Sequence, residues 1–153
     1  MTPLFKKLNL GAQEEIHVLN APASFEAELS SLGDRKIVRK ATGPVRFALA
    51  FVQTLAEVEA AAKPLARHAV DDAILWMVYP KGSSKRYRCE FNRDTGWAAL
   101  GEAGYEPVRL VAIDEDWSAL RFRQVEHIET MKRDPQGALS QVGRAKARAQ
   151  RKT

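Results

Sequence analysis

A short basic segment between residues 81 and 86 carries the side chains best suited to binding an anion. It directly follows an apolar run, 73–79, that predicts a strand buried on both faces. Two hydroxyl groups can donate hydrogen bonds, three cations attract negative charge, and the glycine permits an anion-binding concavity of the backbone. The candidate anion-binding residues are Lys81, Gly82, Ser83, Ser84, Lys85 and Arg86. The spacing of a Walker nucleotide loop is absent, and a solvated basic loop is the alternative interpretation.

Two other loops supply secondary candidates. Asn20 begins the loop 20–24 after a predicted first strand, but this loop has no glycine that would let the backbone approach a pyrophosphate. Asp114 and Trp117 bound an acidic segment whose carboxylates could hold Mg²⁺. Aspartates are also common in hairpin turns, and a turn is the favoured interpretation of this segment.

The familiar catalytic and metal-binding arrangements are missing from the sequence. The three histidines, His17, His68 and His127, lack the spacing of zinc ligands, and Cys89 is the single cysteine. There is no Gly-x-Ser-x-Gly elbow. Cationic neighbours could lower the pKa of Cys89, whereas His17 is expected to be structural. We therefore expect no catalytic residue, no metal and no cofactor.

Strand and helix patterns alternate along the chain, which would place the candidate loops at one edge of a sheet. Strands are predicted at 15–19, 36–41, 45–52, 73–79, 107–113 and 117–123, and helices at 24–32, 54–69 and 94–104. Ser24, Thr54 and Asp94 are the predicted helix N-caps, and Trp76 is expected in the core. Right-handed crossovers then predict an α/β fold, a small Rossmann-like three-layer sandwich with a mostly parallel sheet and a C-terminal antiparallel hairpin.

The positive charge is concentrated towards the C-terminus. The 153 residues have a formal net charge of +5, but residues 132–153 alone contain seven basic and one acidic side chain. Residues 1–131 are close to neutral and have the composition of one α/β domain. The basic segment has few apolar residues to bury and is expected to be a disordered tail. It could make a weak, salt-dependent contact with nucleic acid, or act only as a solubilising extension.

The sequence favours a cytoplasmic protein with no membrane partner. Its apolar runs fall well short of the ~20 residues of a membrane span, and its first residues lack the apolar core of a secretory signal. A single cysteine is typical of a reducing compartment.

Three segments, in order, carry a resemblance to a known family: Trp76-Met-Val-Tyr-Pro-Lys-Gly-Ser-Ser-Lys85, Gly96-Trp-Ala-Ala-Leu100 and Ala112-Ile-Asp-Glu-Asp-Trp-Ser-Ala-Leu-Arg-Phe-Arg123. With Leu19-Asn-Ala-Pro22, they resemble the bacterial domain-of-unknown-function family three-thousand-and-fifty-two over roughly residues 8–123. The resemblance implies a Rossmann-like fold and a cytoplasmic setting, and it assigns no activity, cofactor or catalytic residue.

The chain is also similar to the second half of a methyltransferase-like sheet, with a strand, a helix, a strand ending in Pro80-Lys81, a helix and a hairpin. Methyltransferases of this shape usually carry a glycine-rich first loop and an acid at the end of the second strand. Here those places hold Asn20-Ala-Pro22 and Arg39-Lys-Ala-Thr42.

The leading functional expectation is a non-catalytic binding or interaction module with an anionic partner at residues 81–86. A divergent methyltransferase-like transferase acting on an anionic small molecule is the enzymatic alternative. A nucleic-acid-associated protein acting through its basic tail is a third possibility.

Overall fold

The computed structural model describes residues 2–92 and 94–128. The strands are β1 Glu15–Leu19, β2 Lys36–Val38, β3 Val45–Phe51, β4 Ala69–Pro80, β5 Tyr105–Ala112 and β6 Trp117–Gln124. The α-helices are α1 Pro3–Lys7, α2 Glu26–Ser30, α3 Leu55–His68 and α4 Ala98–Glu102. Two short 3-10 turns, Ala23–Phe25 and Val125–His127, precede α2 and follow β6. The predicted tail at 132–153 lies outside the described residues.

The described strands form one six-stranded mixed sheet in the order β2-β1-β3-β4-β6-β5. β1 pairs in parallel with β2 and β3, and β3 pairs in parallel with β4. β6 runs antiparallel between β4 and β5, which places the C-terminal hairpin at one end of the sheet. The predicted α/β class, mostly parallel sheet and antiparallel hairpin are therefore confirmed.

The sheet is covered on both faces, as the predicted three-layer sandwich requires. Residues of α1 and α2 pack on one face with Trp76 and Val78 of β4, and residues of α3 and α4 pack on the other with Leu75 and Met77. Alternate residues of β4 thus enter different cores, because successive side chains of a strand point to opposite faces. The apolar run of β4 is buried for this reason.

Trp76 is fully buried, which confirms its predicted place in the core. Its indole Nε1 donates a hydrogen bond of 2.9 Å to the backbone oxygen of Leu8, the residue that ends α1. The bond satisfies the buried indole and fixes the N-terminal segment on the sheet. Helix α1 was not predicted from the sequence, because five residues are too few to show the helical period of apolar residues.

Several predicted boundaries were wrong. The helix expected at 24–32 is a 3-10 turn at Ala23–Phe25 followed by α2, and Ser24 is not its cap. The helix expected from Asp94 begins only at Ala98, because the backbone N–H of Asp94 donates to Asn92 Oδ1 in a preceding turn. The second strand, predicted to extend to residue 41, ends at Val38, and β4, predicted to begin at residue 73, begins at Ala69. The long helix α3 does start at the predicted capping box, in which the backbone N–H of Glu57 donates to Thr54 Oγ1 at 3.1 Å.

Candidate functional site

The carboxyl ends of β1, β3 and β4 lie at one edge of the sheet, because these strands are parallel. The antiparallel β6 begins at the same edge, where Ser118 is paired with Tyr79. Between β4 and α4, residues 81–92 and 94–97 follow an irregular path. This path and the beginning of β6 enclose a cavity of about 520 Å³.

The cavity combines an aromatic lining with polar groups and cations. Its described lining residues are Tyr79, Pro80, Lys81, Gly82, Ser84, Tyr87, Arg88, Cys89, Phe91, Asn92 and Ser118. Two of these carry a positive charge, Lys81 and Arg88, and none of these eleven is a carboxylate. The charge of the described lining therefore favours an anion.

The base of the loop after β4 is fixed to the turn before β6. The backbone N–H of Lys81 donates to the backbone carbonyl oxygen of Asp116 at 2.8 Å, and the Ser84 hydroxyl donates to the carboxylate Oδ1 of Asp116 at 2.8 Å. The same hydroxyl oxygen accepts the backbone N–H of Tyr87 at 3.2 Å. Ser84 thus has a structural task, since it holds together two of the loops that the sequence nominated.

The acidic segment before β6 is a turn, which is the interpretation that the sequence favoured. Asp114 Oδ1 accepts the backbone N–H groups of Asp116 and Trp117 at 2.8 and 2.9 Å. A carboxylate that accepts bonds two and three residues ahead stabilises a turn. The described residues contain no group of three His, Cys, Asp or Glu side chains placed to share a metal ion.

Aromatic side chains form the wall of the cavity and connect it to both cores. The ring of Tyr79 lies 5.9 Å from Phe91 and 5.5 Å from Trp97, between ring centroids. On the opposite side the half-buried ring of Tyr87 lies 4.7 Å from Trp117. Rings held by such contacts keep a fixed orientation and can offer a face or edge to a planar ligand.

The cavity brings together only some of the residues nominated from the sequence. Lys81, Gly82 and Ser84 line it, whereas Ser83, Lys85 and Arg86 are exposed and are not among its lining residues. Asn20, with a φ of 59°, is exposed after β1 and does not line the cavity. Asp114 and Trp117 act beside the cavity, through the turn and through the contact with Tyr87.

Gly82 does not have a conformation that requires glycine. The residue does not adopt a positive φ, and a Cβ added to it would meet no atom within 4 Å. A Cβ would fit there, so the observed loop conformation does not depend on the conformational freedom of glycine.

Sequence reasoning missed four lining residues with polar groups: Tyr87, Arg88, Asn92 and Ser118. Tyr87 and Arg88 continue the basic loop, so its length was the available signal. Ser118 reaches the cavity through its pairing with Tyr79 on a neighbouring strand. That register depends on strand pairing across 39 residues and has no local signature.

The possible lowering of the Cys89 pKa was wrong in direction. The partly buried thiol lines the cavity, and burial raises its pKa, with a smaller rise from the neighbouring Glu90 carboxylate. Its cationic neighbours do not reverse this effect. Cys89 is therefore a neutral thiol at neutral pH, and not an activated nucleophile.

The place where the strand order reverses is occupied by aromatic side chains. The reversal falls between β1 and β3, where doubly wound folds usually bind nucleotides. Phe25, after β1, and Phe51, at the end of β3, are 4% and 2% exposed, with ring centroids 5.0 Å apart. His17 of β1 is buried, with Nε2 2.5 Å from the Thr42 oxygen, and is structural as expected.

Comparisons with known proteins support the fold. No family model matches the chain, and no curated protein matches it. Among solved structures the chain is similar to the pyocyanin biosynthetic protein PhzM, with a TM-score of 0.50 and 12% sequence identity. The likeness covers 79% of this chain and 54% of that chain, so the chain spans about half the length of PhzM. At this identity the likeness shows a Rossmann-like fold and nothing finer.

None of the helices in the part of the chain that the structure describes is long and apolar enough to cross a membrane.

Proposed function

We propose that this protein binds an anionic small molecule in the cavity at the carboxyl end of β4. The observation that carries the proposal is the described lining of that cavity, which holds Lys81 and Arg88 without a carboxylate. A volume of about 520 Å³ lies within the range, about 300–1,000 Å³, of pockets that enclose small ligands. The ligand is thus of metabolite size and carries a carboxylate, phosphate or sulfonate group.

The aromatic wall narrows the class of ligand further. Three of the lining residues, Tyr79, Tyr87 and Phe91, are aromatic, and a fourth, Ser118, carries a hydroxyl group. Flat rings pack well against other flat rings, and cations next to them select a negative substituent. An aromatic or heterocyclic acid satisfies both features of the lining.

Binding without chemistry is favoured because the groups able to react are committed elsewhere. The Ser84 hydroxyl donates to Asp116 and its oxygen accepts from the backbone of Tyr87, so the group already serves as a structural link between two loops. The Cys89 thiol is kept neutral by burial. These assignments support a binding module.

The enzymatic alternative is a methyltransferase-like transferase that acts on an anionic small molecule. The described chain has the succession that this alternative requires, with β3, α3, β4, α4 and then the hairpin β5–β6. The likeness in fold to PhzM, at a TM-score of 0.50, is consistent with it. The loop Asn20-Ala-Pro22 and the packed pair Phe25 and Phe51 weigh against a nucleoside cofactor beyond β1.

A thermal-shift experiment tests the proposal. The panel contains AMP, ATP, salicylate, indole-3-acetate, citrate and S-adenosylhomocysteine, each added to the full chain. A ligand that binds only the folded state at about 100 times its Kd stabilises the protein by about 2.7 kcal/mol, which raises Tm measurably. We expect an aromatic acid or a nucleotide to raise Tm.

The control is a second pair of substitutions away from the cavity. The double variant Lys81→Gln with Arg88→Gln should lose the ligand-induced rise in Tm. The control variant Lys36→Gln with Arg67→Gln should keep it, because it removes one lysine and one arginine from exposed positions on β2 and α3. A panel without any positive anion, or an equal response of both double variants, would contradict the proposal. A response to S-adenosylhomocysteine alone would favour the transferase.

A further inference from the structure

Three arginines lie together on the sheet, away from the cavity. Arg109 of β5 is the direct cross-strand partner of Arg121 of β6, and Arg123 follows two residues later on the same face of β6. Like charges directly opposite each other on neighbouring strands destabilise a sheet. A natural sequence that breaks this rule without local compensation commonly does so at a functional site.

This arginine cluster occupies the opposite face of the sheet from the cavity. Arg121 is paired with Trp76, whose indole lies in the core beneath α1, while the cavity-lining Ser118 is paired with Tyr79. Positions 118 and 121 are three steps apart along β6, an odd interval, so their side chains leave the strand in opposite directions. The cluster is therefore a separate surface.

The carboxylates near the cluster lie beside Arg123, although the charge of Asp72 also acts on Arg121. Asp72 accepts two bonds of 3.0 Å from the Arg123 Nε, and the carboxyl pKa of Asp72 is lowered chiefly by this bond. Glu106, which is 1% exposed, is the cross-strand partner of Arg123. His127 is close enough to Asp72 to lower its pKa slightly further.

The other two arginines keep most of their donors available. Neither Arg109 nor Arg121 forms an ion pair with a carboxylate in the described part of the chain. Arg109 donates only a long bond of 3.5 Å to Asn9 Oδ1. The Nε of Arg121 is buried and has no hydrogen-bond partner among the described residues. A buried donor without an acceptor is costly, and an arriving oxyanion would supply the acceptor.

The electrostatics of Arg121 favour a negative charge close to it. Burial lowers the pKa of its guanidinium, the nearby charges of Arg123 and Arg109 lower that pKa further, and the Asp72 carboxylate opposes them in part. Arginine nevertheless stays protonated in proteins, so the protein bears the free-energy cost of a partly buried positive charge next to other positive charges. A bound anion would remove that cost.

We propose that Arg109 and Arg121, next to the Asp72-bound Arg123, form a second anion site that takes the phosphate group of a small molecule. Guanidinium groups bind phosphate through pairs of parallel hydrogen bonds, and two adjacent forks match its several oxygens. The site goes beyond the cavity ligand, since its residues and its face of the sheet are different.

Isothermal titration of the full chain with inorganic pyrophosphate tests this site. Each charge-assisted bond is worth about 1.5–3 kcal/mol, so Arg121→Gln should weaken pyrophosphate binding about 10- to 100-fold. Arg121→Lys should weaken it less, because it keeps the charge and loses only the fork. Arg67→Gln, on α3 of the other layer, should bind like wild type.

Two further measurements separate this site from the cavity and from an effect on folding. The double variant Lys81→Gln with Arg88→Gln should keep its affinity for pyrophosphate. Arg109 is exposed, so Arg109→Gln should lose affinity for pyrophosphate while its Tm is no lower than that of wild type. Equal affinities of wild type, Arg121→Gln and Arg109→Gln would overturn the proposal. So would binding that depends only on Lys81 and Arg88, or binding of a short oligonucleotide without any binding of pyrophosphate.

Discussion

Gly96 is predicted to be the glycine on which the cavity most depends. It has a φ of +89°, and an added Cβ would lie 2.7 Å from the Cβ of Phe91, a residue that lines the cavity. Gly96→Ala therefore combines backbone strain with a steric clash. Gly104 has a similar φ of +86° but open space around a Cβ, and Gly82 has neither problem. The three alanine variants separate the two effects.

The expected changes in the free energy of unfolding differ by several kcal/mol. Gly82→Ala should be neutral or stabilising by up to about 1 kcal/mol, since alanine reduces the entropy of the unfolded chain. Gly104→Ala should cost about 1–3 kcal/mol from the unfavourable φ alone. Gly96→Ala should cost about 1–3 kcal/mol more than Gly104→Ala, because the buried Phe91 ring must shift to admit a methyl group.

Urea denaturation followed by tryptophan fluorescence measures these differences, with equal m-values as the check that all variants unfold alike. The order of stability should be Gly82→Ala, Gly104→Ala and then Gly96→Ala. Equal stabilities of Gly96→Ala and Gly104→Ala would show that Phe91 is not fixed where the structure places it. A strongly destabilised Gly82→Ala would refute the conclusion that its loop does not need glycine.

Four other predictions test separate parts of the structure. Trp76→Ala should lose about 3–5 kcal/mol in urea denaturation, and an unchanged stability would place the indole outside the core. Asp72→Asn should destabilise the protein at pH 7 but lose its effect in acid. Because Arg123 lowers the pKa of Asp72 in the folded state, the stabilisation is present above the unfolded pKa of about 3.9 and disappears as pH falls through the folded pKa. A pH-independent difference in stability would contradict this. Cys89 should react with iodoacetamide more slowly at pH 7.5 than a free thiol and should accelerate as pH rises, because burial raises its pKa; fast alkylation at neutral pH would contradict this. Truncation after Met131 should leave Tm nearly unchanged and remove any salt-sensitive binding of nucleic acid, whereas a loss of several degrees would mean that the tail docks on the domain.

The parts of the fold that sequence could predict are those with a local physical signature. The apolar run ending at Tyr79 predicted a doubly buried strand because the sheet is covered by helices on both faces. The spacing of Thr54 and Glu57 predicted the start of α3, since each side chain satisfies a backbone group of the other. The first four residues of β4, 69–72, were missed because Asp71 and Asp72 look like a turn, whereas Asp72 has its partner, Arg123, on a neighbouring strand.

The cavity could be located from sequence but not assembled from it. The position of Lys81 after a buried strand was sufficient to nominate the loop. Which members of that loop face the cavity depends on the bond from Ser84 to Asp116, and the contribution of Ser118 depends on strand register. Both are contacts between residues far apart in the chain. They follow from strand pairing, which a single sequence does not specify locally.

The most direct test of the proposed cavity uses a matched pair of fluorescent probes, the aromatic anion 8-anilinonaphthalene-1-sulfonate and its neutral analogue N-phenyl-1-naphthylamine. Both offer flat rings to Tyr79, Tyr87 and Phe91, but only the first carries a sulfonate for Lys81 and Arg88. Lys81→Gln with Arg88→Gln should weaken binding of the anion about 10- to 100-fold, at about 1.5–3 kcal/mol, and leave binding of the neutral probe unchanged. If the double variant bound the anion as tightly as wild type does, or lost both probes equally, the cavity would not be an anion site.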